Sequence, residues 1–264
     1  MPADYHTHTP LCRHAAGEPE AFVEAAVAAG LSEYGVSDHA PAKPEPFDDW
    51  RMLEKELPAY LEWIGRARAH AGDRLPVRAG LECDWLAGCE TWIGDLAERH
   101  DWDYLIGSVH YLGRWDFDNP KWIGRWKTED LDEAWTRYWE TYANMARSGL
   151  FDILGHPDLV KKFAGAPAGN LDRFYEPVIE VIATAGCAIE LNTAGRHKPC
   201  AEAYPAPRFL ELARQAGVPL VISSDAHSPG EVGRDFPGAI EIAKAAGYSE
   251  ILLFEKRQRR TEAL

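Results

Sequence analysis

The chain alternates short apolar runs with longer amphipathic stretches, and this alternation does most to limit its fold. Seven runs are candidate strands: Ala3–His6, Tyr34–Ser37, Val77–Glu82, Tyr104–Ser108, Ile153–His156, Ala188–Asn192 and Leu220–Ser224. Most are continuously apolar, as strands buried on both faces are. The stretches between them have helical spacing: Glu18–Ala29, Met52–Ala71, Thr91–Arg99, Leu131–Ser148, Leu171–Ala185, Pro207–Ala216 and Phe236–Ala246. Strands that alternate with helices predict a parallel α/β fold, most simply a closed barrel.

The rest of the chain adds few further elements. Ile251–Phe254 could form a small terminal strand, and the basic run Lys256–Arg260 is interpreted as a solvated tail. The segments Pro41–Asp49 and Trp115–Lys127 are predicted to be loops, the second over the mouth of a site. Because no linker, repeat or low-complexity block interrupts the pattern, residues 1–264 are expected to form a single domain.

Composition narrows the class of protein. The chain has 264 residues, of which 46% are hydrophobic, so it can bury a large core. Its formal net charge of −14 argues against a nucleic-acid or anionic-membrane partner. No apolar stretch is long enough to span a bilayer, and no signal core precedes the first strand, so we expect a cytoplasmic protein. Five cysteines without CxxC spacing do not suggest disulfides, and Cys12 is expected to pack rather than bind metal.

Most of the histidines lie at or just beyond the ends of candidate strands. They are His6, His8, His14, His39, His110, His156 and His227, and Glu82 and Asp225 occupy matching positions. The carboxyl ends of the strands of a parallel barrel converge on one face. Imidazoles and carboxylates are ligands of first-row metals, and this set is large enough for more than one ion. Residues i and i+2 of a strand share a face, so His6 and His8 can hold one ion while Glu82 or Asp225 completes its shell.

Some of these polar residues have a second interpretation. His14 lies in a loop, where a hydrogen-bonded surface role competes with metal binding. His70 and His100 belong to helical patterns and are interpreted as surface residues. Asp38 and Asp158 either orient neighbouring histidines or are solvated loop carboxylates, and Asp84 is interpreted as an orienting or structural residue rather than a ligand.

The motifs at the strand ends resemble those of the polymerase-and-histidinol-phosphatase (PHP) family, and more closely its monofunctional histidinol-phosphatase branch. The matching pieces, in chain order, are DYHTHTPLCRHA from residue 4, SDHAP from 37, GLECD from 80, IGSVHYLG from 106, GHPDLVKKF from 155, ELNTAGRHKP from 190 and SSDAHSPGEVG from 223. The resemblance covers nearly the whole chain. It implies a distorted (β/α)7 barrel with a trinuclear metal centre.

The resemblance also implies how the ligands are shared among three divalent ions. His6, His8, Glu82 and Asp225 would hold the first ion. Glu82 would bridge to a second ion held by His110 and His156, and His14, His39 and His227 would hold the third. Zinc is the expected metal, and manganese or iron also suits this donor set.

The activity that the resemblance implies is hydrolysis of L-histidinol phosphate, a step of histidine biosynthesis, by attack of a hydroxide that bridges two ions. A metal-bound water, His227 or Asp225 could help to protonate the leaving group. Arg196, with Lys161 or Lys162, is expected to bind the phosphate of this small-molecule monoester. The other expected substrate contacts are His197 beside Arg196 and, in an aromatic and acidic segment, Tyr111, Trp115, Asp116, Asp118 and Trp122.

Two other functions remain open at this point. The same scaffold could act on another phosphomonoester, on phosphotyrosine or on a nucleic-acid end, although the acidic balance disfavours a nuclease. A non-catalytic metal-binding or sensing protein would share the ligands but would not turn over a phosphate ester.

Overall fold

The computed structural model describes residues 2–264, and its centre is a ring of parallel strands. The strands, numbered along the chain, are β1 (Tyr34–Val36), β2 (Val77–Ala79), β3 (Glu82–Asp84), β4 (Ile106–Ser108), β5 (Tyr111–Leu112), β6 (Trp115–Asp116), β7 (Ile153–Leu154), β8 (Ala188–Asn192), β9 (Leu220–Ser223), β10 (Glu250–Glu255) and β11 (Gln258–Ala263). A five-stranded parallel sheet has the order β3-β4-β7-β8-β9, and β1 pairs with β2 in parallel.

Isolated bridges close these sheets into a barrel. Asp4 bridges to Tyr34 of β1, Thr7 bridges to Ala226 just after β9, and His39 bridges to Glu82 of β3. The segment from Asp4 therefore fills the gap between β9 and β1, although it is too irregular to form a continuous strand. Since β2 and β3 are two parts of one predicted strand, the ring has seven members. The predicted seven-stranded α/β barrel is confirmed, and its distortion lies mainly in this first member.

Helices pack around the ring between successive strands. They are α1 (Pro19–Ala28), α2 (Leu57–Ala71), α3 (Glu90–Ala97), α4 (Leu131–Arg147), α5 (Lys161–Ala164), α6 (Asp172–Ala185), α7 (Pro207–Gln215) and α8 (Phe236–Ala245). All seven predicted helices form. The one predicted from Met52 begins only at Leu57, after a 3₁₀ turn over Glu54–Glu56, because Pro58 suits the first turn of a helix. The short α5 was not predicted, since four residues show no helical period.

The carboxyl end of the chain forms a β-hairpin. The predicted strand Ile251–Phe254 lies within β10, which pairs antiparallel with β11. The interpretation of Lys256–Arg260 as a solvated tail is wrong. Lys256 and Arg257 adopt φ values of 49° and 60° in the turn, as two-residue hairpin loops require. Arg257 pairs with Asp152 at 2.8 Å, and Arg260 pairs with the buried Glu33 at 2.6 Å, so these charges attach the hairpin to the barrel.

The two predicted loops lie at the carboxyl ends of the strands. Pro41–Asp49 is irregular, and the segment that begins at Trp115 contains β6 and a 3₁₀ helix over Pro120–Lys127. This 3₁₀ helix exposes Trp122 and Ile123. Among residues 2–264, no helix combines the length and the apolar character needed to cross a membrane.

Candidate metal centre

A cavity of about 590 Å³ opens at the carboxyl ends of the strands. Seven of the nine predicted ligands line it: His14, His39, Glu82, His110, His156, Asp225 and His227. His6 and His8 lie beneath its floor and have no exposed surface. The barrel thus brings all nine side chains together from six separate points of the chain.

Glu82 lies at the centre of the group and faces a different set of histidines with each oxygen. Its Oε1 is 3.0 Å from His156 Nε2 and 3.5 Å from His110 Nε2. Its Oε2 is 2.6 Å from His39 Nδ1 and 3.4 Å from His6 Nε2. A carboxylate with two such surroundings is suited to bridge two cations.

Several buried ligand atoms have no hydrogen-bond partner among residues 2–264. They include His6 Nε2, and also His39 Nδ1 and Glu82 Oε2, whose 2.6 Å contact lacks hydrogen-bond geometry. A buried polar atom without a partner costs roughly 1–3 kcal/mol, so such atoms rarely cluster without a reason. Ligand atoms of His6, His8 and Glu82 all lie within 4.8 Å of one another, close enough to share one ion. The donor set therefore fits a metal at this place.

A third group lies nearer the mouth of the cavity. Ligand atoms of His14, His39 and His227 also lie within 4.8 Å of one another. His14 Nε2 and His227 Nε2 are 2.9 Å apart. Two imidazole nitrogens that face each other at this distance fit either one N–H···N hydrogen bond or two ligands of one cation. The structure thus places His14 with the other candidate ligands although it comes from a loop.

Acceptors behind the histidines fix their orientation. His6 Nδ1 donates to Glu190 Oε1 at 2.7 Å, and His110 Nδ1 donates to Asp84 Oδ1 at 2.8 Å. Both acceptors are buried carboxylates, so these Nδ1 atoms carry the proton and the Nε2 atoms are left as ligands. Asp84 is therefore an orienting residue, as predicted.

The two other aspartates at strand ends differ from each other. Asp38 Oδ1 lies 3.4 Å from His8 Nδ1 and also accepts the His39 backbone N–H at 2.8 Å, so it is an orienting residue. Asp158 instead accepts from Lys161 Nζ at 3.1 Å and from the Ala206 backbone at 2.7 Å. Asp158 therefore holds the α5 turn rather than a histidine.

Two of the candidate ligands have strained backbones. His156 has a φ of 26° and Asp225 a φ of 54°, although neither is glycine. Left-handed backbone at non-glycine residues costs energy and concentrates at functional sites. The strain turns both side chains at the ends of β7 and β9 toward the cavity.

The charges around the cavity suit cation binding. Burial alone would raise the pKa of Glu82, but His39, His6 and His110 hold that pKa well below its usual value. The pKa of Asp225 is likewise held well below its usual value, because His6 and His8 outweigh the effect of its burial. Burial lowers the pKa of His39 and of His227 well below the usual value. Against the effect of burial, nearby carboxylates raise the pKa of His6, of His8 to about 9 and of His110 to about 10, so a bound cation would displace the protons of these three histidines. Ionised carboxylates and neutral imidazoles are the protonation states that metals need. Burial raises the pKa of the Cys12 thiol, although the ligand atoms of His8, Cys12 and His227 also lie within 4.8 Å of one another.

The structure does not bring six of the predicted substrate-binding residues to the cavity wall. Arg196 and His197 are about two-fifths exposed and point to Asp235, at 3.9 and 2.6 Å. Lys161 is buried beside Asp158 and Glu202, where three acceptors hold its Nζ. These three side chains already have protein partners, and the structure does not place them in the cavity wall, including Arg196, which the sequence suggested as a catalytic residue.

Tyr111 and Trp115 lie behind the wall. Tyr111 donates to Asp48 at 2.8 Å and stacks on Trp50, and Trp115 is 2% exposed. Trp122 is exposed to solvent and does not line the cavity. Of the predicted contacts, Asp116, Asp118 and Lys162 remain in the wall, and Lys162 Nζ pairs with Asp118 Oδ2 at 2.9 Å.

The cavity wall also contains residues that the sequence did not single out. They are chiefly Arg13, Trp50, Asn119, Lys198 and Arg234. Lys198 belongs to the motif that suggested Arg196, but the structure places Lys198 and not Arg196 in the cavity wall. Trp50 carries no sequence signal, because a loop brings it to the site. Its Nε1 donates to Asp116 at 3.2 Å, and burial and the neighbouring Asp118 raise the pKa of Asp116 to about 7.

Comparison with known proteins agrees with this geometry. The PHP domain family model matches residues 4–194. A protein of Deinococcus radiodurans described as a "Probable histidinol-phosphatase" is 44% identical over 97% of this chain and 98% of its own. The histidinol-phosphatase of Bacillus subtilis is 26% identical over 90% of this chain and 98% of its own. The histidinol phosphate phosphatase of Lactococcus lactis, solved with zinc, L-histidinol and phosphate, superposes with a TM-score of 0.81 at 20% identity over 98% of each chain. The chain therefore belongs to the PHP domain family.

Proposed function

We propose that this protein is a metal-dependent phosphatase that hydrolyses L-histidinol phosphate to L-histidinol and phosphate in histidine biosynthesis. The proposal rests on the position of Glu82, whose two oxygens face two different sets of histidines. These residues form the floor of a cavity whose wall contains both basic and acidic side chains. The cavity volume lies in the range usual for small-molecule sites. The 44% identical relative is described as acting on the same substrate.

We propose three divalent ions, with zinc the expected metal and manganese or iron as alternatives. His6, His8, Glu82 and Asp225 would hold the first, Glu82, His110 and His156 the second, and His14, His39 and His227 the third. When bound, such ions lower the pKa of water and neutralise charge on phosphoryl oxygens. Only two of these ligands are carboxylates, so the ions would retain positive charge that attracts a phosphate dianion to an otherwise acidic protein.

Two cations of the wall are placed to bind the phosphoryl oxygens that the metal centre leaves free. Within residues 2–264, Lys198 forms no ion pair. Arg234 pairs with Glu231 at 3.2 Å, and its buried Nε has no partner in the described chain. We assign to Lys198 and Arg234 the role that the sequence suggested for Arg196.

The proton transfers need an acceptor and donor beside the reacting centre. Asp225 is ionised and its side chain is 19% exposed, whereas that of Glu82 is 1% exposed. Asp225 can therefore accept a proton from the attacking water and return it to the leaving alcohol. His227 is the second candidate, because it is neutral and faces the cavity.

The test is steady-state kinetics with metal analysis of the same sample. We expect kcat/KM for histidinol phosphate to exceed that for p-nitrophenyl phosphate and phosphotyrosine, with no cleavage of single-stranded DNA. A preference for another phosphomonoester would replace the substrate but keep the reaction. Metal-replete protein without turnover of any of these compounds would favour a metal-binding or sensing role.

A further inference from the structure

One carboxylate of the cavity wall has a free oxygen. Asp116 of β6 lines the cavity and is 6% exposed. Its Oδ2 accepts from Trp50 Nε1 at 3.2 Å and from Asn119 Nδ2 at 2.7 Å. Its Oδ1 is buried and has no hydrogen-bond partner among residues 2–264. A buried carboxylate oxygen without a partner costs free energy unless a ligand or water supplies the missing donor.

Apart from Asp225, which is a candidate metal ligand, the other two aspartates of the wall already pair with lysines. Asp118 Oδ2 lies 2.9 Å from Lys162 Nζ, and Asp49 Oδ2 lies 2.8 Å from Lys121 Nζ. Asp116 forms no ion pair with any lysine or arginine in the part of the chain that the structure describes. Outside the candidate metal ligands, Asp116 is therefore the wall aspartate without a cationic partner. Burial and the neighbouring Asp118 raise its pKa to about 7, and a cation from outside the protein would stabilise its ionised form.

Asp116 lies close to the candidate ligands but away from the free cations. Trp50, which donates to Asp116, packs edge-on against His39 and His110 with ring centroids 4.6 and 5.5 Å apart. Asp116 follows β4, whereas Lys198 follows β8 and Arg234 follows β9, two and three strands further along the sheet. The cavity therefore has a metal-lined floor, a cationic side and a carboxylate with a free oxygen on another side.

We propose that Asp116 selects the substrate by binding its protonated amine. This inference rests on the proposed function and deepens it: the substrate class is a phosphate monoester of an amino alcohol. In histidinol phosphate the amine is on the carbon next to the one that carries the ester. In the proposed arrangement the phosphate binds at the candidate metal ligands of the floor, and the ammonium group supplies the donors that Asp116 Oδ1 lacks. Trp50 holds the other oxygen and so fixes the carboxylate.

The test compares two esters that differ only in the amine, histidinol phosphate and 3-(imidazol-4-yl)propyl phosphate. For the zinc-loaded wild-type enzyme we expect kcat/KM to be about 30- to 100-fold higher on histidinol phosphate, as for a charge-assisted contact out of water. Asp116→Asn should remove this preference and leave kcat/KM for the amine-free ester within about threefold, because the metal centre is unchanged. The matched control Asp49→Asn should keep the wild-type ratio, since Lys121 already pairs with Asp49.

Each failure has a separate meaning. If Asp116→Asn lowers kcat/KM for both esters equally, Asp116 does not bind the amine and the inference is overturned. If the wild-type enzyme turns over both esters equally well, the inference is overturned while phosphatase function stands. If zinc-loaded wild-type enzyme hydrolyses neither ester, the proposed function fails first. Should Asp116→Asn not retain zinc, the comparison is made with Asp116→Ser, whose hydroxyl can still accept from Trp50. Inhibition of the wild-type enzyme by L-histidinol no stronger than by its amine-free analogue would also overturn the inference.

Discussion

At the scale of the residue, the cations of the cavity wall differ in whether they already form an ion pair within the protein. Arg13 pairs with Glu56 and Lys162 with Asp118, so binding a phosphate would break or share those pairs. Lys198 has no such partner in residues 2–264 and is exposed at the wall. Lys198 can therefore bind a phosphate beside the candidate metal ligands without breaking an existing ion pair.

We therefore predict that Lys198→Ala lowers kcat/KM for histidinol phosphate by about 10- to 100-fold, the range for losing one hydrogen bond to a charged group. Zinc content should stay at the wild-type value, because Lys198 contacts no candidate ligand. The matched control is Arg196→Ala, two residues away in the chain, which should behave like wild type because Arg196 points to Asp235. The assignment fails if Arg196→Ala is the slower variant.

At the scale of the element, the strand ends were readable from the sequence and the loops were not. Short apolar runs followed by His, Glu or Asp predicted the barrel, and the structure gathers the candidate ligands at one end of it, because strand and candidate ligand are adjacent in the chain. The 3₁₀ helix Ala194–His197 shows the limit. The sequence shows that this motif carries a cation toward the site, but the turn of the helix decides that Lys198 faces the cavity and Arg196 does not. Trp50 reaches the site only through long-range packing.

Strand β8 contributes a prediction of its own, through Glu190. Its Oε1 accepts from His6 Nδ1 at 2.7 Å, and its Oε2 accepts from the His156 backbone at 2.7 Å. Glu190 thus positions ligands proposed for two different ions. Glu190→Gln should weaken zinc binding by about 10- to 100-fold, because an amide orients imidazole less firmly than a carboxylate. Titration of zinc into chelator-treated protein measures this, with the exposed Glu180→Gln as control. Equal zinc affinity in both variants would contradict the positioning role.

At the scale of the whole molecule, the two ends of the chain are what complete the barrel. The first strand closes the ring only through single bridges at Asp4 and Thr7. The short apolar pattern predicted the position of this strand, but it could not show that the pairing would be interrupted. The terminal hairpin packs near the same segment, where Tyr5 Oη accepts from the Phe254 backbone at 3.0 Å. Its basic residues looked solvated because the acids they pair with are distant in the chain.

Glu33 links the first strand to the terminal hairpin. Its replacement should lower the stability of the fold and leave the reaction unchanged. It is buried, accepts from Tyr5 Oη at 2.5 Å, and pairs with Arg78 at 2.8 Å and Arg260 at 2.6 Å. Burial alone would raise the pKa of Glu33, but Arg78 and Tyr5 hold that pKa below its usual value. A lowered pKa contributes stability above the unfolded value of about 4.3, and this stability is lost as the pH falls through the folded value.

Glu33→Gln should therefore lower the free energy of unfolding at pH 7 by about 2–4 kcal/mol, less than a fully buried pair because Arg260 is half exposed. Denaturant unfolding of the two proteins measures the difference, which should shrink as the pH falls below about 4, where wild-type Glu33 also becomes neutral. The control Glu20→Gln removes a surface partner of Arg66 and should leave the unfolding midpoint unchanged. If the difference in the free energy of unfolding between Glu33→Gln and wild type stays constant with pH, the loss comes from packing. The ion pairs of Glu33 would then not be what stabilises the contact between the two ends of the chain.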